Sequence, residues 1–342
     1  MSLFQAFVMG IVQGATEYIP VSSSAHLVLV PWLLGWPDAA FTFEVLVQWG
    51  TLVGVFVYFW RDLWDMAYSV VVGLARRQPL ATDSARMGWY IVLGTIPAVI
   101  FGFLLKDVFE AAYAAPVAVA VTLFGTAAIL MIAEHFGRRT RTVEDWGWLD
   151  SLIVGFWQVL ALFPGISRSG ATIGGGMLRN FDRPAAARFS FLLSVPALLG
   201  AGILAIADLL GTGALRSELP ALAVGFAAAG ITGYLCIRWL LGYLQGYLFS
   251  VDLRFASELD AGQLSDTLLG HFKAHGKDLN PSARVTVKQA GSEWTVDDAD
   301  KPYFIRRTAQ SLNVYLSHSL RVFAIYCALF GLFCLIVALI RR

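Results

Sequence analysis

The chain has 342 residues, of which 57% are hydrophobic and only 14% charged, and its formal net charge is +1. Soluble domains carry about a quarter charged residues, so most of the surface of this protein does not face water. The small net charge and the lack of any basic block argue against a nucleic-acid binder.

Six stretches are apolar over the length that a helix needs to cross a bilayer, which is about 20 residues. They cover roughly 41–60, 86–105, 113–133, 186–207, 219–241 and 320–340. The sequence therefore predicts an all-α polytopic membrane protein with about six transmembrane helices.

Two further apolar regions, 3–35 and 149–181, are interrupted near their middle by proline, glycine and serine. The interruptions are Pro20-Val21-Ser22-Ser23-Ser24 and Pro164-Gly165-Ile166-Ser167-Arg168-Ser169-Gly170. Each half is too short to span, and irregular backbone at membrane depth is tolerated only where protein or a wet cavity satisfies it. Both regions are therefore predicted to be re-entrant helical hairpins.

The two interrupted regions also resemble each other. Gly10-x-x-Gln13 followed by Pro20 parallels Gly155-x-x-Gln158 followed by Pro164. Each region is followed by three predicted spans, and an odd number of spans places the second copy upside down in the membrane. The sequence thus predicts an inverted repeat, an organisation typical of transporter folds.

The arginines in the loops predict which side faces the cytoplasm. Loop 61–85 and segment 134–148 are rich in arginine and lie on the same side of the predicted topology. By the positive-inside rule this side is cytoplasmic and both termini lie outside. Because no Lys or Arg precedes the first apolar stretch, a cleaved signal peptide is not expected.

Residues 247–316 hold most of the contiguous polar sequence. Two alternating segments, 284–288 and 293–297, flank a Gly291-Ser292 turn and predict a β-hairpin, while 259–275 has the spacing of a short amphipathic helix. We therefore predict a small soluble α+β domain on the cytoplasmic side. It divides the membrane domain into residues 1–246 and a last transmembrane helix in 317–342.

The interrupted regions also hold the ionisable residues that are costly to keep in an apolar stretch and therefore suggest function. Glu17 and His26 flank the first serine run, and Arg168 lies in the second. If the two loops meet, these groups share one pocket with several hydroxyls. Arginine binds phosphate oxygens in a bidentate manner, helix N-termini attract anions, and a carboxylate can hold a hard divalent cation. The set suits phosphoryl chemistry.

Structural explanations compete with these functional ones. Serine and threonine in membrane helices mostly serve packing or interhelical hydrogen bonds, and Glu17 and His26 could simply pair with each other. Glu44 is as well explained by a structural hydrogen bond as by a site role, and Arg238 can snorkel from the end of its span. The three cysteines lack metal-ligand spacing and are expected to be free thiols: Cys236, Cys327 and Cys334.

The motifs around both loops resemble a known family, the undecaprenyl-diphosphate phosphatases linked to bacitracin resistance. The resemblance is carried by Gln13-Gly14-Ala15-Thr16-Glu17-Tyr18-Ile19-Pro20-Val21-Ser22-Ser23-Ser24-Ala25-His26, by Thr42-Phe43-Glu44-Val45, and by Pro164-Gly165-Ile166-Ser167-Arg168-Ser169-Gly170-Ala171-Thr172. It covers 1–246 and 320–340, and the segment 247–316 has no counterpart in the family. It implies hydrolysis of undecaprenyl diphosphate to the monophosphate at the outer face of the inner membrane, with dependence on Mg²⁺ or Ca²⁺.

The resemblance also implies roles for individual residues. Glu17 is the acidic, metal-linked residue, and Ser23 and His26 are both candidates for nucleophile or general acid–base. Gln13 stands where many members have a first glutamate, and it offers one neutral oxygen as a second metal ligand. The diphosphate is expected to be bound by Arg168, and by the hydroxyls of Ser22, Ser24, Ser167, Ser169 and Thr172.

The competing function is a transporter that flips undecaprenyl phosphate, because inverted repeats with broken helices are transporter architecture. A carrier needs an anion site, but it needs no nucleophile beside a metal-binding carboxylate, so the phosphatase is favoured. The expected partners are the polyprenyl diphosphate substrate and membrane lipids, and the oligomeric state stays open, with a homodimer as one alternative.

Overall fold

The computed structural model describes residues 1–37, 41–105, 108–109, 115–212, 215–245, 247–252, 284–287, 293–297, 303–307, 311–316 and 318–341. The chain divides into two compact units, Met1–Leu241 with Leu320–Arg342, and Gly242–Ser319. The first unit is helical, and the second contains the strands. The domain boundaries predicted from the sequence stay a prediction.

The helices of the chain follow in order. They are α1 Leu3–Glu17, α2 Ser23–Leu34, α3 Phe41–Tyr58, α4 Trp60–Ala75, α5 Asp83–Leu104, α6 Pro116–Phe136, α7 Trp148–Leu160, α8 Arg168–Leu178, α9 Arg183–Thr212, α10 Leu215–Gln245 and α11 Arg321–Ile340, with a short 3₁₀ turn at Val143–Asp145. Within the described ranges, five helices are long and apolar enough to cross a membrane: α5, α6, α9, α10 and α11. The protein is therefore a multi-pass membrane protein, as predicted.

The remaining predicted span, 41–60, is covered by α3, which counts as a sixth membrane span when it is taken together with α4. Helix α3 ends at Tyr58 and is followed after one residue by α4, at a bend of 82°. Segment 61–85 was expected to be a loop, yet most of it is this helix. The physical reason is its amphipathic pattern, because Trp60, Trp64 and Tyr68 recur every four residues and lie exposed along one side.

The two interrupted regions fold as pairs of short helices. Helices α1 and α2 have 15 and 12 residues, and α7 and α8 have 13 and 11, all too short to cross a bilayer. The second helix of each pair begins with a serine N-cap. Ser22 Oγ accepts a hydrogen bond from the Ala25 N–H group, and Ser167 Oγ accepts one from Gly170. The serines of both motifs thus start the helices as well as line the loops.

Glycine allows α1 and α7 to pack closely on neighbouring helices. A Cβ atom at Gly10 would collide with the Gly225 carbonyl group of α10, and one at Gly155 would collide with the Gly94 carbonyl group of α5. Backbones can approach this closely only where the side chain is missing, which is how membrane helices commonly pack. The two short helices are therefore held firmly, and they carry their loops at fixed positions.

Buried ion pairs fix the helix ends opposite the loops. Arg183 donates through Nε to Glu134 at 2.7 Å, and Arg139 donates to the same carboxylate at 3.1 Å. Nearby, Asp150 accepts two hydrogen bonds from the guanidinium of Arg141; this contact raises the pKa of Arg141. Removing one partner of such a buried pair is strongly destabilising, so these contacts anchor α6, α7 and α9.

The second unit contains an antiparallel sheet. Its strands are β1 Tyr247–Asp252, β2 Arg284–Val287, β3 Glu293–Asp297, β4 Tyr303–Arg307 and β5 Ser311–Leu316, in the order β1-β5-β4-β3-β2. Strands β2 and β3 pair antiparallel, with Arg284 opposite Asp297, where the sequence predicts a hairpin. The predicted turn at 291–292 and the predicted helix at 259–275 lie outside the described residues, so the α+β class of this segment stays a prediction.

Candidate functional site

The two loops that interrupt the broken helical regions, 18–22 and 161–167, meet inside the first unit. The Gly165 N–H group donates to Ser24 Oγ at 3.2 Å, and Ser169 Oγ donates to the Ile19 carbonyl group at 3.4 Å. These bonds connect residues more than 140 positions apart in the chain. The expected meeting of the two motifs is thus present in the structure.

Glu17 is the centre of the polar cluster between the loops. Its Oε2 accepts hydrogen bonds from Gln13 Nε2 at 2.7 Å and from Ser23 Oγ at 2.6 Å. Its Oε1 accepts one from Arg168 Nη2 at 2.7 Å. The residue is 7% exposed, so its charge is stabilised by these donors rather than by water. A carboxylate, a hydroxyl and a guanidinium are therefore in direct contact.

Arg168 has binding capacity left over. Its Nε and Nη1 atoms are buried, yet neither has a hydrogen-bond partner within the described part of the chain. Buried donors without a partner are rare in folded proteins and call for an explanation. The N–H groups of Nε and Nη1 lie on different edges of the planar guanidinium, so they can donate to two separate oxygens of an anion. The side chain of Arg168 is 15% exposed, and the geometry is that of an anion site with one half engaged by Glu17.

The predicted serines surround this site in two similar arrangements. Ser22 and Ser24 lie 3.2 Å apart at their hydroxyl oxygens, and Ser167 and Ser169 lie 3.1 Å apart. Ser22 also has a positive φ of 71°, a conformation that costs a residue with a side chain about 1–2 kcal/mol. The N-termini of α2 and α8 begin next to these pairs, and helix N-termini favour negative charge.

Thr172 is directed away from the cluster. Its hydroxyl contacts Ser190 Oγ of α9 at 2.6 Å and donates to the Arg168 carbonyl group at 2.7 Å. The hydroxyl that was predicted to bind substrate therefore packs α8 against α9. A role in substrate binding stays a prediction for this residue.

An acid–base partner for Glu17 would direct its imidazole towards that carboxylate. The imidazole of His26 instead contacts two other groups. Its Nδ1 lies 2.8 Å from the Ser22 carbonyl oxygen, and its Nε2 lies 2.8 Å from the Tyr326 hydroxyl. In the described structure Glu17 and His26 are thus engaged with separate partners. Tyr326, on α11, was not predicted as a site residue. The candidates were chosen as ionisable groups in apolar stretches, and a tyrosine within a span fits that description poorly.

The donor set of the site suits a hard divalent cation. Within the described ranges no three His, Cys, Asp or Glu side chains form a metal-binding group, so an all-carboxylate cage is not what these residues offer. Gln13 Oε1, however, is buried and without a hydrogen-bond partner there, and it lies on the same side chain that donates to Glu17. Mg²⁺ typically takes one or two protein oxygens, with substrate phosphates completing the shell. The residues therefore fit a cation shared with an anionic substrate.

The remaining candidates are peripheral to this cluster. Glu44 lies in the first turn of α3, and Arg238 is exposed on α10, as expected of a structural, snorkelling arginine. All three cysteines are free, and Cys327 Sγ lies 3.8 Å from the Pro20 carbonyl oxygen. The last helix thus packs directly on the first loop.

Taken with its apolar spans, the fold defines a multi-pass membrane protein whose two broken hairpins enclose a buried polar cluster in which Ser23 and Arg168 contact Glu17. The sequence profile described as "Bacitracin resistance protein BacA" matches residues 6–252. The chain belongs to this family.

Curated relatives are similar over most of their length. A protein named undecaprenyl-diphosphatase from Thermomicrobium roseum is 43% identical over 258 residues, which is 73% of this chain and 93% of the relative. Proteins of the same name from Chlorobaculum tepidum and Chlorobaculum parvum are 42% and 45% identical; the alignments span 79% and 72% of this chain, and 99% and 90% of the relatives.

Proposed function

We propose that this protein hydrolyses undecaprenyl diphosphate to undecaprenyl phosphate and phosphate, the activity in the names of its relatives. The reaction recycles the lipid carrier for cell-wall synthesis, and it underlies bacitracin resistance in the sense of the family name. The observation that carries the proposal is the pair of buried Arg168 donors that have no partner among the residues the structure describes, next to a serine hydroxyl that donates to a carboxylate.

Substrate binding rests on Arg168 and the two helix N-termini. The Nε and Nη1 donors, which have no partner among the described residues, bind separate oxygens of the diphosphate, while Nη2 keeps its contact with Glu17. The α2 and α8 N-termini and the serine pairs stabilise the remaining charge. Such positioning and charge stabilisation account for most of phosphoryl-transfer catalysis.

Ser23 is the nucleophile that the geometry favours. Glu17 accepts the Ser23 hydroxyl proton, and Ser23 Oγ attacks the terminal phosphorus while the bond to the bridging oxygen breaks. Undecaprenyl phosphate leaves on that oxygen. Water then attacks the phosphoserine, and Glu17 returns the proton to Ser23 Oγ as phosphate departs. Ser23 is favoured over His26 because Ser23 already lies 2.6 Å from Glu17, whereas His26 Nε2 is engaged by Tyr326.

A divalent cation, Mg²⁺ or Ca²⁺, is part of the proposal. Gln13 Oε1 and the Glu17 carboxylate would hold it together with diphosphate oxygens. When bound, it would neutralise charge on the diphosphate. Glu17 is the single carboxylate in the first motif, so the chain supplies fewer charged ligands than a two-carboxylate site.

The inverted repeat and the membrane orientation are proposed as well. Ser22 and Ser167 cap equivalent helices in the same manner. With that alignment, Ser23 falls opposite Arg168, and these two residues donate to the two oxygens of Glu17. The arginine-rich segments around 76–86 and 138–141 lie on one side of the predicted topology, and their positive charge supports a cytoplasmic position for that side. The site then opens to the outer face of the inner membrane.

A lipid flippase is the second candidate, because pairs of short broken helices at membrane depth also form substrate sites in transporters.

The experiment uses purified protein in nanodiscs and a short-chain polyprenyl diphosphate, and it measures phosphate release with and without chelator. Ser23→Ala should abolish release, and acid quenching of the parent protein should trap phosphoserine. Transbilayer movement of polyprenyl phosphate without phosphate release would favour the flippase. Light scattering of the same sample tests whether the protein is a homodimer.

A further inference from the structure

The protonation of His26 can be read from its neighbours. Nδ1 lies 2.8 Å from the Ser22 carbonyl oxygen, and a carbonyl oxygen only accepts hydrogen bonds. Nδ1 must therefore carry a proton. In the neutral imidazole Nε2 then has a lone pair, and it accepts a hydrogen bond from the Tyr326 hydroxyl at 2.8 Å. The tautomer of a histidine is set by such contacts at the other ring nitrogen.

Two aromatic side chains of α11 also fix the orientation of the imidazole. The Tyr326 ring lies nearly parallel to it, at 6° and a centroid distance of 5.7 Å. The Phe330 ring stacks at 12° and 4.8 Å. His26 is 4% exposed, so the ring is held by both contacts and by a hydrogen bond at each nitrogen.

The partner of Nδ1 belongs to a residue with a strained backbone. The Ser22 carbonyl oxygen accepts the imidazole Nδ1–H group and also the His26 backbone N–H group, at 3.3 Å. Ser22 has a positive φ of 71°, and such a conformation persists only where the surroundings hold it in place. The next residue is Ser23, whose hydroxyl donates to Glu17. A continuous chain of contacts thus runs from Tyr326 through His26 to the turn that presents Ser23.

We propose that Tyr326 is a positioning residue for the phosphatase reaction, acting through the contacts of His26 with the Ser22 turn. Tyr326 selects the Nδ1–H tautomer of His26, which then holds the Ser22 carbonyl group and fixes the direction of Ser23 Oγ. His26 itself is a positioning residue in this scheme, neither nucleophile nor proton carrier. The inference rests on the proposed phosphatase function for its kinetic consequence, but the tautomer does not depend on that function.

The kinetic test compares Tyr326→Phe with Tyr68→Phe, which removes a hydroxyl from an exposed ring on α4. Phenylalanine keeps the ring at 326 and removes only the bond to Nε2. A neutral hydrogen bond of about 1.4 kcal/mol corresponds to about tenfold, so kcat should fall about tenfold with KM within about twofold. Tyr68→Phe should match the parent. Parent-like kcat in Tyr326→Phe would overturn the proposal.

A conservative variant separates positioning from chemistry at His26. The amide of His26→Gln can donate to the Ser22 carbonyl group but cannot act as nucleophile or acid–base, so it should keep at least a tenth of parent kcat, whereas His26→Ala should not. Adding Tyr326→Phe to His26→Gln should cause little further loss, because the two residues act in series. Equal inactivity of His26→Gln and His26→Ala would overturn the positioning role.

Nitrogen-15 NMR of histidine-labelled protein gives an independent measurement, with His26→Gln identifying the signal among the five histidines. The parent should show a protonated Nδ1 and an unprotonated Nε2, and Tyr326→Phe should shift the Nε2 signal or mix the tautomers. A protonated Nε2 with a bare Nδ1 in the parent would refute the inference. Absence of phosphate release by the parent would instead refute the proposed function, while leaving the tautomer assignment testable.

Discussion

Arg168→Lys keeps a cation beside Glu17 but removes the planar fork on which the proposed diphosphate site depends. The ammonium group of lysine can replace Nη2 as a partner of Glu17, whose Oε1 lies 2.7 Å from it. It cannot also place donors at the positions of Nε and Nη1, which have no partner in the described part of the chain. Lysine and arginine are not equivalent where several donors of one planar group are used.

The size of the effect follows from the bonds lost. Hydrogen bonds to charged groups contribute about 1.5–3 kcal/mol each, so two of them amount to about 3–6 kcal/mol. At about 1.4 kcal/mol per tenfold change, kcat/KM for a polyprenyl diphosphate should fall by about two to four orders of magnitude. Phosphate release from purified protein in nanodiscs measures this.

The matched control is Arg188→Lys. Arg188 pairs with Asp62 and its side chain is 43% exposed, and exposed ion pairs contribute little. The kcat/KM of the Arg188→Lys variant should stay within about twofold of the parent. If Arg168→Lys kept more than a tenth of parental kcat/KM while remaining folded, a point charge would suffice, and the proposed role of the Nε and Nη1 donors would be refuted.

Three further changes test other parts of the structure. Glu17→Gln should abolish turnover and divalent-metal stimulation, since an amide cannot take up a proton and leaves the arginine without a negatively charged partner; activity that persists in excess chelator would contradict the metal proposal. Gly165→Ala should lower both turnover and the unfolding temperature, because the residue has a φ of +94° and its new Cβ atom would collide with Thr122. Gly102→Ala is the control, since its Cβ atom would meet nothing within 4 Å, and equal behaviour of the two variants would refute the strained-loop argument. Replacing residues 250–316 with a Gly/Ser linker should leave hydrolysis within a few-fold of the parent, because the polar cluster lies within the first unit and loop-closure entropy grows slowly with length; a folded deletion variant that binds but does not hydrolyse substrate would contradict this.

Much of the fold could be predicted because the membrane imposes a simple rule on the sequence. Runs of about 20 apolar residues identify spans, and proline with glycine and serine marks the breaks at 18–22 and 161–167. Helix α4 was not recognised by this rule because charged residues stand between its hydrophobic residues and keep its average hydropathy low. Its helical period was nevertheless visible in Trp60, Trp64 and Tyr68.

Site residues could be predicted where a charge is costly to hold in apolar sequence. They were harder to predict where the direction of a side chain depends on packing between helices. Glu17 and Arg168 are charges in apolar sequence, and the structure places them in contact. The direction of His26 depends on Tyr326, 300 residues away in the chain, and no local pattern connects the two. Likewise, only the packing of α8 on α9 shows that the Thr172 hydroxyl is occupied by Ser190.

The contacts of α11 have a consequence for biogenesis. This helix is synthesised long after the first hairpin, yet it contacts the hairpin through Tyr326 with His26 and through Arg341 with the Leu33 carbonyl group. The hairpin is inserted early and waits for these contacts while some 280 intervening residues are synthesised. Chains that end before α11 therefore contain both serine motifs without the packing that orders the first. Activity should arise only after α11 has been synthesised and has packed on the first hairpin.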